Sequence, residues 1–546
     1  MLPSIPLPSD YDVSLHHGFL PSEIPLERLP SLYYNKWEAI VKNLQGLILS
    51  RRLRGVVEAL PVLSTEYLQS EPEWRRAYSV LAFIAHAYIW GGDSPVDRVP
   101  PTISVPFLAT CNHLELPPVA TYAGVCLWNW KPLFDDEPID NLENLSTLQT
   151  FTGSIDESWF YLVSVAIEAR GAPIIPLMLS AIAAARRNDT YIVTECLRSF
   201  AERLDELGSL LQRMYDSCDP HVFYHRIRPF LAGGKNMADA GLPNGVIFDD
   251  GTGERQEYVQ FSGGSNAQSS IIQFFDIVLG IEHRPTGAQP PNESRGISSR
   301  PEPSTPPAPS HNFILDMRRY MPGPHARFLA HIAAVANIRS FVEARPRDRA
   351  LTTAFDACLA MLRAFRDKHI QMVSRYIIVK SRESRSLSRG ASSSHRHAQP
   401  KLSPHAAATS PELHHRHRHS STADAASDAS DHDLPSSPTT ARSSPQRKKN
   451  LRGTGGTALI PFLKQARDET GEPTIDAWAR RLLNNGPGAA TSGDNPWTTA
   501  MIGESGANSS RVAKLGSVTE HRGEMEIVGL AGTWSVDDSE GGICHW

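Results

Sequence analysis

The sequence predicts an all-α protein. Most of its long segments place apolar residues three and four positions apart, which is the spacing of one helix face. Strand patterns are scarce, and we expect one short hairpin, formed by residues 245–248 and 257–260. With 546 residues, the chain is long enough for more than one domain and a sizeable helical core.

The N-terminal part begins as a loop and then becomes helical. Residues 1–30 carry prolines every few positions, whereas residues 32–91 keep helical apolar spacing. Pro100 and Pro101 break this pattern. A third helical block follows the prolines at 117 and 118 and extends to about residue 130.

Later segments predict a series of further helices. They are residues 158–170, 173–188, 192–215, 269–281, 324–343 and 351–379. The most apolar stretch, 172–185, is too short to span a bilayer and contains two prolines. We therefore interpret it as a core helix.

Two stretches interrupt the helical pattern. Residues 283–310 are rich in Pro, Ser and Gly, which is typical of a surface insertion. Residues 383–449 have few large apolar side chains and cannot offset their ordering entropy, so we expect disorder there. The histidine tract at 414–419 lies within this segment, and a solvated tract is favoured over a metal site. Beyond residue 471 we expect a mostly disordered tail, with one helix at 474–484.

Composition excludes several classes of protein. The net charge of −5 favours neither nucleic acid nor an anionic membrane as a partner. The N-terminus has no apolar signal region, and six cysteines without a Cys-x-x-Cys pair suit a reducing compartment, so we expect a cytoplasmic protein. Serine-hydrolase, zinc-protease and dinucleotide-binding motifs do not occur.

His369 is the most informative residue, because it lies on the apolar stripe of the predicted helix 351–379. A histidine in such a place has two explanations. One is a neutral imidazole that hydrogen-bonds a backbone carbonyl. The other is an axial ligand to a heme iron, for which a buried neutral imidazole is the common group. Periodicity alone leaves both open.

Four other segments contain polar residues or glycine at positions where a packed helical core would carry apolar side chains. Residues 223–228 set aromatic side chains beside Arg228, which suits a flat ligand with a carboxylate, or a surface stack. Ser164 is a lone polar group on an apolar helix and could simply bond a backbone carbonyl. Residues 262–270 allow close backbone approach or a helix start. Residues 453–457 lack a P-loop ending and suit a mobile closing loop.

Together these segments resemble the indoleamine 2,3-dioxygenase family. The resemblance covers roughly residues 30–282 and 311–470, and its motifs occur in the same order as in the family. These motifs are Leu116-Pro117-Pro118 with Tyr122 and Asn129-Trp130, the Ser-Gly-Gly-Ser turn with residues 268–270, residues 274–281, residues 316–322, the His369 segment and Gly-Thr-Gly-Gly-Thr. It implies a small N-terminal helical domain and a large helical heme domain. The corresponding boundaries are 1–135 for the small domain, 136–282 and 311–382 for the heme domain, and 450–470 for its closing loop and final helix.

The resemblance also implies residue roles. His369 matches the proximal ligand of the heme iron. The distal and catalytic positions match Phe223, Arg228 and Ser164. Substrate-binding positions match Tyr122, Val125, Phe160, Tyr224, Arg228, Ser265 and Thr454. Positions beside the heme match Gly264, Ser265, Asp276 and Arg366.

The reaction that the resemblance implies is cleavage of the indole C2–C3 bond of L-tryptophan by dioxygen. The product is N-formylkynurenine, the first step of the kynurenine route toward NAD. The cofactor would be heme b, with ferrous iron kept active by an electron donor. We expect a monomer. The alternative is a heme-binding paralogue or sensor with weak or no turnover. Tyr224 and Asn266 add polar groups where some members carry phenylalanine and alanine, which could weaken substrate affinity.

Overall fold

The computed structural model describes residues 3–254, 256–287, 312–384, 459–477 and 479–480, together with the backbone of 518–521, 524–529 and 532–535. By internal contacts the chain divides into two units, 1–380 with 451–546, and 381–450. Only residues 381–384 of the second unit are described. The predictions for the greater part of the two insertions, for the Gly-Thr-Gly-Gly-Thr loop and for most of the tail therefore lie outside the described residues.

The N-terminal part contains five α-helices packed around one long member. They are α1 (Asn35–Lys42), α2 (Leu44–Leu49), α3 (Leu53–Glu58), α4 (Glu71–Trp90) and α5 (Pro101–Leu114). Helix α4 carries acidic residues in its first turn, which complement the helix dipole, and it is buried over most of its length. The two prolines that were expected only to break the pattern instead start α5, because proline is well suited to the first helical turn.

The rest of the chain is built from further helices around a central pair. They are α6 (Ile155–Gly171), α7 (Ile174–Arg186), α8 (Thr190–Gln212), α9 (Met214–Ser217), α10 (Pro220–Val222), α11 (Ser270–Val278), α12 (Phe313–Met317), α13 (Gly323–Val335), α14 (Ile338–Glu343), α15 (Arg349–Val373) and α16 (Leu459–Thr470). Helices α8 and α15 pack along their lengths. The helix predicted at 324–343 is two helices, because the chain becomes extended at Ala336.

Within the described residues, three short π-helical turns interrupt the α-helical pattern: π1 (Ala123–Leu127), π2 (Phe223–Ile227) and π3 (Ser374–Val379). Turn π1 replaces the third predicted helical block, and π3 continues α15 without a break. Turns π2 and π3 pack against each other. π-Helical turns are rare and are frequent at functional sites, so their positions direct attention to these three segments.

Strands are few and short. Strand β1 (Arg98–Val99) pairs in parallel with β4 (Ile247–Phe248), and β2 (Trp130–Pro132) pairs antiparallel with β3 (Leu145–Thr147). The predicted hairpin is confirmed only as the single antiparallel bridge Val246–Val259, with both of its backbone hydrogen bonds, because Ile247 and Phe248 pair with β1 instead. The tail contains an antiparallel meander that the sequence did not indicate: β5 (Val518–His521), β6 (Glu524–Gly529) and β7 (Gly532–Ser535).

Helices dominate the described residues, which confirms the all-α class. One continuous hydrophobic cluster includes residues on both sides of position 135, so the division into two domains stays a prediction. Residues 155–186 are long and apolar enough to cross a membrane, but 72% of their most apolar window is buried within the protein. That burial fits the core-helix interpretation of the apolar stretch 172–185.

Candidate active site

His369 lies near the end of α15, five residues before π3, with its side chain partly accessible. Burial of the ring, together with the nearby positive charge of Arg366, lowers its pKa to about 4. The imidazole is therefore neutral at pH 7, and its lone pair is available to a metal. No other described side chain or backbone group is hydrogen-bonded to either ring nitrogen.

His86 provides an instructive contrast. Burial likewise lowers its pKa to about 4. However, its Nδ1 lies 2.7 Å from the carbonyl of Phe230, and its Nε2 accepts from the backbone N–H of Ala120 at 2.8 Å. Both nitrogens are thus used within the core. Of the two explanations offered for a buried histidine, His86 takes the first, whereas the surroundings of His369 leave its ring open to a ligand.

The segment 223–228 forms an aromatic wall with a guanidinium at its end. Phe223 is 7% exposed and packs on Phe160, with ring centroids 4.7 Å apart. It also meets Tyr376 of π3 edge-on at 5.7 Å, so this wall touches the extension of the His369 helix. Arg228 lies over the ring of Tyr224 at 5.5 Å, and burial lowers its pKa below the usual value, although an arginine stays charged.

Tyr122, at the start of π1, is fixed by two buried polar contacts. Its backbone N–H donates to Oε1 of Gln268 at 2.9 Å, and its hydroxyl donates to Oε1 of Glu168 at 3.0 Å. The Ser269 hydroxyl also donates to Oε1 of Glu168, at 2.6 Å. One carboxyl group therefore joins π1, α6 and the N-terminus of α11. The sequence motifs pointed to Tyr122 but not to Glu168.

A second contact between π1 and α6 lies one turn away. Ser164 faces the thiol of Cys126, and this contact partly offsets the burial that raises the pKa of that thiol. Val125 of the same turn is buried, and its carbonyl accepts from the Asn129 side chain at 3.1 Å. Tyr122 and Ser164 thus belong to one interface between π1 and α6, and Val125 lies buried within π1 itself.

The glycine turn at 262–264 is packed directly against other backbone. A Cβ added to Gly263 would lie 2.1 Å from the Leu231 carbonyl, and one added to Gly264 would lie 3.1 Å from the Ala120 carbonyl. The Gly264 N–H donates to the Leu231 carbonyl at 3.1 Å. Close approach is why this turn requires glycine. Ser265 caps the following 3-10 helix by accepting from the Ala267 N–H at 3.3 Å.

Asp276 and Arg366 form the centre of a buried charged cluster. Nη2 of Arg366 lies 2.7 and 2.8 Å from the two carboxylate oxygens of Asp276. His283 bridges Asp276 (3.0 Å) to Glu469 of α16 (2.7 Å). Burial acts to raise the pKa of Asp276, but Arg366 and His283 outweigh it and hold that pKa below its usual value. His283 was assigned to a surface insertion, yet its side chain is only 6% exposed.

The structure therefore brings the predicted residues into four groups: the aromatic wall with Phe160, the interface of π1 with α6, the glycine turn with Ser265, and the charged cluster beside the His369 helix. Thr454 lies in a part of the chain that the structure does not describe. Within the described ranges, no group of three or more His, Cys, Asp or Glu is placed to hold a metal ion. A heme iron can be held by a single axial histidine, so this finding and a role for His369 are compatible.

Comparison with known proteins decides the family. The family model described as indoleamine 2,3-dioxygenase matches residues 7–473. The chain belongs to the indoleamine 2,3-dioxygenase family.

Fungal members of the indoleamine 2,3-dioxygenase family are similar over most of their length. The chain is 40% identical over 476 residues to the indoleamine 2,3-dioxygenase of Saccharomyces cerevisiae (strain ATCC 204508 / S288c), covering 85% of this chain and 93% of the relative. It is 41% identical to an indoleamine 2,3-dioxygenase of Penicillium citrinum, covering 68% and 79%. A 6-hydroxytryptophan 2,3-dioxygenase of Fusarium equiseti is 39% identical, covering 68% and 85%. The recognised resemblance is confirmed, and the chain is an oxidoreductase of the dioxygenase class.

Proposed function

We propose that the protein is a heme-dependent dioxygenase that cleaves the indole C2–C3 bond of L-tryptophan to give N-formylkynurenine. Family membership supports the reaction class. The main structural observation in support of it in this chain is the environment of His369. It has a neutral ring with no protein hydrogen-bond partner in the described part of the chain, and the π3 turn that continues its helix meets the Phe223 wall at Tyr376. The sensor alternative has no observation in its favour.

The residues present fit a heme. His369 would supply the axial nitrogen, since its ring is neutral at pH 7 and has no hydrogen-bond partner among the described residues. Asp276 and Arg366 neutralise each other near that helix, so they place no net charge there. When bound as heme b in its ferrous state, the cofactor supplies the activation of dioxygen. The protein contributes binding, orientation and exclusion of competing reactions.

The chain's own residues would position the substrate. The Phe223 and Phe160 rings offer apolar contact to an indole, with Tyr122, Val125 and Ser164 as neighbouring walls. Arg228 offers a guanidinium fork for the carboxylate, and its contact with Tyr224 fixes its direction. Ser265, Gly264 and Thr454 are proposed to complete the contacts at the heme edge and the amino-acid head. No side chain is needed as a general base in this assignment.

The decisive experiment compares two histidines that share a lowered pKa. The His369→Ala variant should lose the Soret band and all formation of N-formylkynurenine. The His86→Gln variant serves as the matched control: it should keep the Soret band, because both nitrogens of His86 are committed to backbone groups. A normal Soret band in purified, folded His369→Ala protein would overturn the assignment.

Three further features are proposed with this function. We expect a cytoplasmic enzyme, since the five described cysteines are free and buried thiols. We expect an electron donor that keeps the heme ferrous. We also expect a monomer, which size-exclusion chromatography with light scattering would test directly.

A further inference from the structure

Glu168 is a fully buried carboxyl group that the reaction described above does not use. It lies on α6 one turn after Ser164, so the two side chains share one helix face. Across from them, Tyr122 and Cys126 are likewise four residues apart along π1. Tyr122 pairs with Glu168, and Cys126 pairs with Ser164. The interface of π1 with α6 is thus held by two adjacent side-chain pairs.

The hydrogen bonds of Glu168 all fall on one of its oxygens. Oε1 accepts from the Tyr122 hydroxyl and from the Ser269 hydroxyl, whereas Oε2 is buried and has no partner among the described residues. A carboxylate would leave half of its charge in a site with no donor, which is costly. A neutral acid costs less, because its carbonyl oxygen accepts both hydrogen bonds and its other oxygen carries a proton in place of an unpaired charge.

We propose that Glu168 is a positioning residue of the substrate pocket, holding the Tyr122 wall and the Ser269 end of α11 against α6 as a neutral acid. The proposal rests on the proposed function only in that Tyr122 lines the tryptophan pocket. Glu168 acts through Tyr122 and is not assigned contact with the substrate.

The electrostatic surroundings agree with this role. Burial raises the pKa of Glu168 to about 7, and the hydroxyls of Ser269 and Tyr122 only partly oppose that rise. The titratable groups that face it are Tyr122 and Cys126, and burial raises the pKa of each far above neutrality. In this part of the described structure, Glu168 is therefore the group that changes charge near pH 7.

The consequence is a pH-dependent Michaelis constant. Below about pH 7 the acid is neutral and the wall is held. As pH rises through that value, Oε2 becomes an anion without a donor, the contacts rearrange, and the KM for L-tryptophan should rise more than kcat falls. The isosteric Glu168→Gln variant keeps a carbonyl acceptor and cannot ionise, so its KM should stay near the low-pH wild-type value across pH 6–8.5.

Glu157→Gln is the matched control. Glu157 is also fully buried on α6, burial also raises its pKa, and it also accepts from a tyrosine hydroxyl, that of Tyr161 at 2.9 Å. Its remaining donors are Phe151, Thr152 and the Thr152 hydroxyl, away from Tyr122. This variant should leave the wild-type pH profile of KM in place, even if its stability falls.

The experiment measures kcat and KM for L-tryptophan from pH 6 to 8.5, with heme content and thermal melting for each variant. Tyr122→Phe should raise KM about three- to tenfold at pH 6, the loss expected for one hydrogen bond, and should remove most of its pH dependence. A Glu168→Gln profile that still follows the wild type would overturn the proposal, as would a Tyr122→Phe variant with unchanged KM. If wild-type protein makes no N-formylkynurenine at any pH, the proposed function itself has failed.

Discussion

Removal of the Asp276 carboxylate should be among the most damaging single changes in the protein. Asp276 receives two bonds from Arg366 and one from His283, with side-chain exposures of 5%, 11% and 6% respectively. In Asp276→Ala, the Arg366 guanidinium would remain buried without this carboxylate, and His283 would keep only its contact with Glu469. Breaking a buried pair in this way costs about 3–5 kcal/mol of folding free energy.

Urea unfolding at pH 7 measures this cost in a double-mutant cycle of Asp276→Ala and Arg366→Ala. Each single variant should lose about 3–5 kcal/mol, and the double variant should lose less than the sum by about 1–3 kcal/mol. An exposed pair is the control: Glu143 and Arg213 lie 2.7 Å apart, with exposures of 60% and 35%. Glu143→Ala should cost about 0–1 kcal/mol.

Losses that simply add in the double variant would refute the reasoning, since the two side chains would then stabilise the fold independently. Heme content of the folded fraction tests a second point. If Asp276 and Arg366 act only as an internal pair, folded Asp276→Ala protein should keep most of its heme. A loss of heme at full folding would instead support the role beside the cofactor that the family resemblance implied.

Two further predictions concern the substrate and the long insertion. Arg228→Ala should raise the KM for L-tryptophan about ten- to a hundredfold, with near-normal heme content. The effect on tryptamine, which has no carboxylate, should be far smaller. An equal effect on both ligands would show that Arg228 has a structural role. Replacing residues 385–449 with a short Gly/Ser linker should leave the Soret band and melting temperature unchanged, because their composition supports no core; loss of heme in that variant would contradict this.

Helix existence and class could be predicted from sequence, because each amphipathic helix carries its apolar stripe locally. The α15 stripe and the His369 position illustrate this. The three π turns could not be predicted, because a π-helical turn contains one more residue than an α-helical turn and needs no change in local composition. The N-terminus of α5 was missed because proline serves both as a helix breaker and as a first-turn residue.

The polar contacts of the site were harder to predict, because they join residues far apart in sequence. Glu168 meets Tyr122 across 46 positions and Ser269 across 101. His283 contacts Glu469, which is 186 positions away in the sequence. The proline-rich sequence after His283 predicted an exposed insertion, so the burial of its side chain was missed. One sequence feature could have identified Glu168 as a site residue: it lies on the same face as Ser164 in an otherwise apolar helix.

Three buried carboxyl groups show why the charged cluster around Asp276 and the Tyr122 wall differ electrostatically. Asp276 is compensated by cations, and its pKa is lowered. Glu157 is compensated by four neutral donors and Glu168 by two, and burial raises the pKa of both. Burial is common to all three groups, so the nature of the partner decides the charge. The Arg366–Asp276 pair therefore holds the centre of the charged cluster at any pH above the lowered pKa of Asp276, whereas the contacts of the Tyr122 wall need Glu168 in its neutral form. This predicts that substrate binding responds to pH near neutrality while the Arg366–Asp276 pair does not; the two contacts of His283 weaken as pH rises through its raised pKa.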